Sequence, residues 1–146
     1  MNDLYEKNGY TISTDKSKLD LRVIHDFLRN SYWAQNIPYE TVVRAIENSL
    51  CFGLYQANKQ LGFARVATDY CRIAYVMDVF ILEPYRHRGL SKWLMECILA
   101  HPPLQEVRGW MLATQDAHGL YAQFGFTPLE KPEKYMQKRI PAPYGV

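Results

Sequence analysis

The sequence has no apolar run approaching the roughly 20 residues needed to span a bilayer. Its opening residues, MNDLYEKNGYTIST, hold no apolar stretch of the kind that marks a secretory leader. The three cysteines, Cys51, Cys71 and Cys97, are an odd number at wide spacing. They read as reduced, mostly buried thiols of a cytoplasmic protein, not as a disulfide framework or a catalytic thiol. His25, His87, His101 and His118 make no HxxxH spacing and no CxxC is present, so no metal site is expected. Seventeen basic against fifteen acidic residues leave +2, too little for a nucleic-acid binder that works through bulk charge. Neither GxxxxGK followed by Ser or Thr nor GxGxxG occurs, which removes the common nucleotide and dinucleotide loops. Repeats, low-complexity tracts and linkers are also missing. The 146 residues, 48% of them hydrophobic, therefore read as one domain, 1–146, large enough for a real core.

What is present changes period along the chain. Residues 9–14, GYTIST, alternate as a short first strand. Leu19 to Asn30 sets Val23, Ile24, Phe27 and Leu28 on one helical face, with Thr14, Asp15 or Ser17 available as the cap. Residues 31–38 interrupt, and a second helix places Tyr39, Val42, Val43 and Ile46 together. From Leu50 the pattern is extended. Residues 51–56 and 61–68 are strands joined by a turn at 57–60, and a second turn at 69–72 leads into Tyr75–Leu82. After a helix ending near His101-Pro102-Pro103, Val107–Ala113 is a strand and Thr114–Phe124 a helix closed by Gly125. Lys134–Ile140 reads as a last strand, and 141–146 as a loose tail. The expected order, β-αα-βββ-α-β-α-β, is an α/β (α+β) arrangement: a mixed, mainly antiparallel sheet flanked by helices.

The chain is organised around residues 75–100. An apolar strand interrupted only by Asp78 ends at Glu83-Pro84-Tyr85, and Arg86-His87-Arg88-Gly89-Leu90-Ser91 opens a helix with Leu90, Leu94, Cys97 and Ile98 on one face. A basic, glycine-containing turn at a helix N-terminus is an anion site, because free N–H groups and the positive end of the helix dipole converge there. Asp78 is the other anomaly. A carboxylate in an apolar strand costs several kcal/mol unless paired or shifted in pKa, so it is either a functional group or a satisfied structural Asp at a strand irregularity.

Arg86-x-x-Gly89-x-Ser91 after a strand resembles the (Gln/Arg)-x-x-Gly-x-(Gly/Ala) signature of the GNAT superfamily of N-acetyltransferases. Thr114, Ala117, Tyr121, Gly125 and Phe126 are similar to its Asn-x-x-Ala-x-x-x-Tyr-x-x-x-Gly-Phe segment, with Thr114 in place of Asn. The resemblance implies a GNAT-like sheet and acetyl-coenzyme A as acyl donor, with no metal. It implies that Arg86, His87, Arg88, Gly89, Leu90 and Ser91 hold the pyrophosphate, that Val79, Phe80 and Ile81 pair with the pantetheine arm, and that Thr114, Ala117 and Tyr121 also face the cofactor. Tyr121 is implied as the general acid that protonates the leaving thiolate.

The base is open between Asp78 and Glu83, the latter acting through water. Tyr32 and Trp33 either cover the core edge between two helices or line the acceptor site. The function so implied is N-acetyl transfer from acetyl-coenzyme A to a primary amine of a small molecule or peptide, directly in a ternary complex. A second reading is a non-catalytic acetyl-coenzyme A sensor or interaction module on the same fold. A nucleic-acid or membrane partner is not expected, and the protein is expected to be a monomer or homodimer. A phosphoryl-transfer enzyme is excluded, since neither a Walker element nor a metal-binding carboxylate pair is present.

Overall fold

The computed structural model describes residues 3–140, 144 and 145. It opens with a hairpin of β1 (Leu4–Lys7) and β2 (Tyr10–Ser13). Asn8 and Gly9 turn it at φ 52° and 83°, the left-handed pair that an Asn-Gly hairpin requires. Helix α1 (Leu21–Arg29) is capped by Asp20, whose carboxylate accepts from the N–H groups of Arg22 and Val23. The cap expected at Thr14, Asp15 or Ser17 lies elsewhere: Asp15 caps a separate 3₁₀ turn at Lys16–Lys18. Helix α2 (Tyr39–Glu47) follows, then the meander β3 (Leu50–Gln56), β4 (Lys59–Thr68) and β5 (Ile73–Ile81). Helix α3 (Leu90–Ala100), strand β6 (Gly109–Leu112) and a short α4 (His118–Ala122) complete the regular elements.

The six strands form one sheet in the order β1-β2-β3-β4-β5-β6. All pairings are antiparallel except β5 with β6, as expected for a strand–helix–strand crossover. One face packs against α3, whose Leu94, Met95 and Ile98 are wholly buried with Phe52, Leu54 and Val66. Truncating Leu94 to Ala is expected to cost on the order of 3 kcal/mol, transfer and cavity terms together. The other face packs α1 and α2 through Ile24, Leu28, Val42 and Ile46 against Cys51, Phe63 and Phe80.

Two expectations about the termini change. The first strand is the second arm of a hairpin whose leading arm went unread. Lys134–Ile140 forms no strand: Pro132–Lys134 is a 3₁₀ turn, and the exposed residues after it pair with no strand among the described residues. Most of the expected tail lies outside the described residues. Of the two that are described, Gly145 lies against Asn36, whose Cβ would stand 3.1 Å from a Cβ built on the glycine.

Candidate active site

Strands β5 and β6 run in parallel from Ile73↔Gly109 to Val76↔Leu112, and there their pairing stops. β5 continues to Ile81 while the chain after Leu112 turns away. A cleft of about 460 Å³ opens at this divergence, lined by Tyr75–Val79 on one side, Leu112–Ala117 on the other, and Tyr32, Trp33 and Tyr121 around them.

A bulge shapes the β5 wall. Phe63 faces Phe80 and Arg65 faces Met77, so Asp78 and Val79 together oppose Ala64 alone. The extra residue, Asp78, sits at φ 55°, a left-handed conformation that Asp tolerates better than most residues. Each oxygen of its carboxylate accepts a hydrogen bond. Oδ2 accepts from Arg65 Nε at 2.9 Å and Oδ1 from the Trp33 indole N–H at 2.8 Å. Arg65 is itself held by the buried Ser49 hydroxyl at 3.0 Å. The strand irregularity proposed for Asp78 is therefore a real bulge. The partner missed in the sequence is Arg65, a lone charge in the apolar run of β4, one hairpin turn from Asp78.

Trp33 is fixed from a second direction. Its ring lies 6.1 Å from that of Phe27, which stacks on Phe80 at 4.0 Å. Tyr32 meets Trp33 edge-on at 5.0 Å, and its hydroxyl accepts from the Gln115 N–H across the cleft at 3.1 Å. The two rings expected either to cover a core edge or to line a site are largely exposed and stand at the cleft.

On the far wall, Thr114 Oγ1 accepts from the Ala117 N–H at 3.1 Å, holding the entry to α4. The helix ends in a Schellman arrangement. Phe126 N–H reaches Tyr121 C=O at 3.3 Å and Gly125 N–H reaches Ala122 C=O at 3.2 Å, with Gly125 at φ 89°. The rings of Tyr121 and Phe126 meet edge-on at 6.1 Å. Burial raises the Tyr121 phenol above its ordinary value, and the neighbouring Tyr32 and Asp116 act in the same direction. The hydroxyl is thus kept protonated at neutral pH.

The turn after β5 lies beyond the cleft. Arg86 Nε donates to the Ile81 carbonyl at 2.9 Å. Arg88 donates to the Tyr10 hydroxyl at 3.0 Å and stands over the Tyr85 ring at 5.4 Å. Both arginines hold the loop, each with further N–H groups left to donate. His87 and Gly89 take φ 66° and 75°. A Cβ at Gly89 would meet no protein atom within 4 Å, so its conformation and not crowding calls for glycine. The open space lies at the N-terminus of α3, where Leu90 is buried and Ser91 half-buried. Of the residues expected to pair with a pantetheine arm, Val79 lines the cleft, while Phe80 and Ile81 are buried. Glu83 is exposed in the 3₁₀ turn Glu83–Tyr85 and is not among the cleft residues, whereas Asp78 is. Among the described residues no group of three or more His, Cys, Asp or Glu could hold a metal ion, and no helix is long and apolar enough to cross a membrane.

The fold is a mixed sheet whose two parallel strands part at a cleft, with Tyr121 on the wall opposite β5. The chain belongs to the GNAT acetyltransferase family: residues 47–128 match the acetyltransferase (GNAT) domain. It is similar to a GNAT-family acetyltransferase from Xanthomonas campestris pv. campestris, with 46% identity, coverage of 97% of this chain and 100% of that one, and a TM-score of 0.92. A Gibberella zeae protein named as an acetyltransferase is 27% identical over 143 residues, 82% of this chain and 79% of its own. The fold is shared with a GNAT acetyltransferase from Elizabethkingia anophelis solved with acetyl-CoA bound, at 12% identity, 90% and 88% coverage and a TM-score of 0.66.

Proposed function

We propose that the protein transfers an acetyl group from acetyl-coenzyme A to a primary amine of a small molecule or peptide, directly within a ternary complex in the cytoplasm. The observation that carries this reading is that the β5 edge is released from β6 at Val76↔Leu112 in the same cleft that Tyr121 lines. Backbone N–H groups at the bulge are available to the thioester carbonyl, a use of oriented dipoles against developing negative charge. The turn Arg86–Ser91 and the first amides of α3 take the pyrophosphate. The amine nitrogen attacks the carbonyl carbon, the carbon–sulfur bond breaks, and the departing thiolate takes the Tyr121 proton. Tyr32 and Trp33 flank the acceptor.

Asp78 is better suited to holding than to deprotonating, since both its oxygens already accept from Trp33 and Arg65. Glu83 is exposed and outside the cleft. The amine's surplus proton accordingly leaves through water. Thiol release measured over a panel of primary amines, with acetyl-coenzyme A saturating, tests the reading. A productive amine with turnover in Tyr121→Phe lowered roughly a hundredfold supports it. Full turnover in that variant removes the acid from Tyr121. Acetyl-coenzyme A binding with no productive amine favours a sensor.

A further inference from the structure

The charges around the cleft narrow what it can accept. Two aspartates line it, Asp78 and Asp116, and among the described residues no lysine, arginine or histidine does. Arg65 stands behind Asp78, but each of its three guanidinium nitrogens already donates within the protein. Nε donates to Asp78 at 2.9 Å, Nη1 to Ser49 at 3.0 Å and Nη2 to the Met77 sulfur at 3.7 Å. Arg108 and His118, the nearest cations in sequence to the far wall, are exposed and outside the lining. An acceptor carrying a carboxylate would enter beside two negative charges with no cation to meet it, and a charge that leaves water unpaired is costly.

The two aspartates are not equivalent. Both Asp78 oxygens already accept, from Trp33 and Arg65. Asp116 is exposed and makes no ion pair among the described residues. Its neighbour sets its place, for the Gln115 N–H donates to the Tyr32 hydroxyl across the cleft at 3.1 Å. Its charge also reaches Tyr121, whose phenol it helps to keep protonated. One carboxylate beside the acid thus matches one ammonium. Around it stand rings: Tyr32 is 56% exposed, Trp33 43%, and Tyr75 is half-buried. Such faces hold an aromatic body by stacking, whereas a second ammonium would meet rings but no free carboxylate. Given acetyl transfer at this site, we propose that the acceptor is an arylalkylamine without a carboxylate. Asp116 holds its ammonium beside Tyr121, and Tyr32, Trp33 and Tyr75 hold its ring. Asp116 is then a binding group and not the base: the ammonium gives its proton to water before the nitrogen attacks.

Calorimetric binding to the full chain saturated with coenzyme A, which has no acetyl group to give, tests this selection apart from the chemistry. Phenethylamine is expected to bind about tenfold or more tightly than phenylalanine, which adds only a carboxylate, and than putrescine, which lacks the ring. Asp116→Asn should weaken phenethylamine about tenfold and leave phenethyl alcohol, its uncharged counterpart, unchanged. A merely structural loss would weaken both. The proposal is overturned by phenylalanine or putrescine binding as tightly as phenethylamine, or by no binding of phenethylamine. It is equally overturned if Asp116→Asn alters both ligands alike or neither. The expected pattern without thiol release from any amine would leave the selection standing and remove the acetyl-transfer reading.

Discussion

Phe126 is tied to Tyr121 twice, by its N–H on the Tyr121 carbonyl at 3.3 Å and by edge-on rings 6.1 Å apart. The Gly-Phe pair that closes α4 therefore also aims the phenol. The helix itself is only five residues long, held at its entry by Thr114 and at its exit by this pair. Gly125 at φ 89° carries the reversal, and alanine there costs roughly 1–2 kcal/mol.

Gly125→Ala and Phe126→Ala should each lower kcat about tenfold with a smaller change in KM for acetyl-coenzyme A, because a misplaced acid loses rate before binding. Steady-state kinetics checks this, and a loss confined to KM would detach the cap from the acid.

Asp78 joins Arg65 on β4 to Trp33 at the cleft, through contacts of 2.9 and 2.8 Å. Asp78→Asn leaves a guanidinium facing an amide and is expected to cost about 2 kcal/mol of stability. As a holding group, its loss should lower kcat/KM without moving the pH–rate profile. A profile that loses its acidic limb would make Asp78 the base.

Burial pushes the thiols of Cys51 and Cys97 from 9.0 up to about 11, while Cys71 is exposed. A disulfide reagent near neutral pH should titrate one thiol rapidly and two only on unfolding. Both folded values are raised, so their contribution to stability is complete below pH 9.0 and is lost as the pH rises through about 11. Urea titrations across that window should show the decline, and it should be smaller in Cys51→Ala.

His101 is 3% exposed, and its Nδ1 meets the Tyr5 hydroxyl at 3.0 Å and Asp3 at 3.2 Å. Burial lowers its pKa, against an opposing pull from Asp3. A lowered folded value means stability present above the unfolded value near 6.5 and lost as the pH falls through the folded one. His101→Gln should be less stable at neutral pH, yet lose less further stability on acidification. Unfolding midpoints on either side of that window decide it.

The sheet was legible because periods of two and 3.6 alternate cleanly from Leu50 to Ala100, and the signature Tyr-x-x-x-Gly-Phe marks a helix end whose geometry demands it. The β1–β2 hairpin was missed although Asn8-Gly9 announces it, since Leu4–Lys7 has few apolar residues to declare a strand. Lys134–Ile140 has strand chemistry but pairs with no strand among the described residues, which local sequence does not report. Asp78 stood out as an anomaly, but its resolution lay in Arg65 and Trp33, thirteen and forty-five residues away. Only tertiary pairing brings them together.

Hydrogen exchange of the full chain with and without saturating acetyl-coenzyme A tests most directly that the parting of β5 and β6 is where the donor binds. Slowed exchange is expected at the amides of Met77–Val79, in the turn Arg86–Ser91 and at the start of α3, with the β1–β2 hairpin unchanged. Binding that leaves those amides unprotected, or no binding at all, would contradict it.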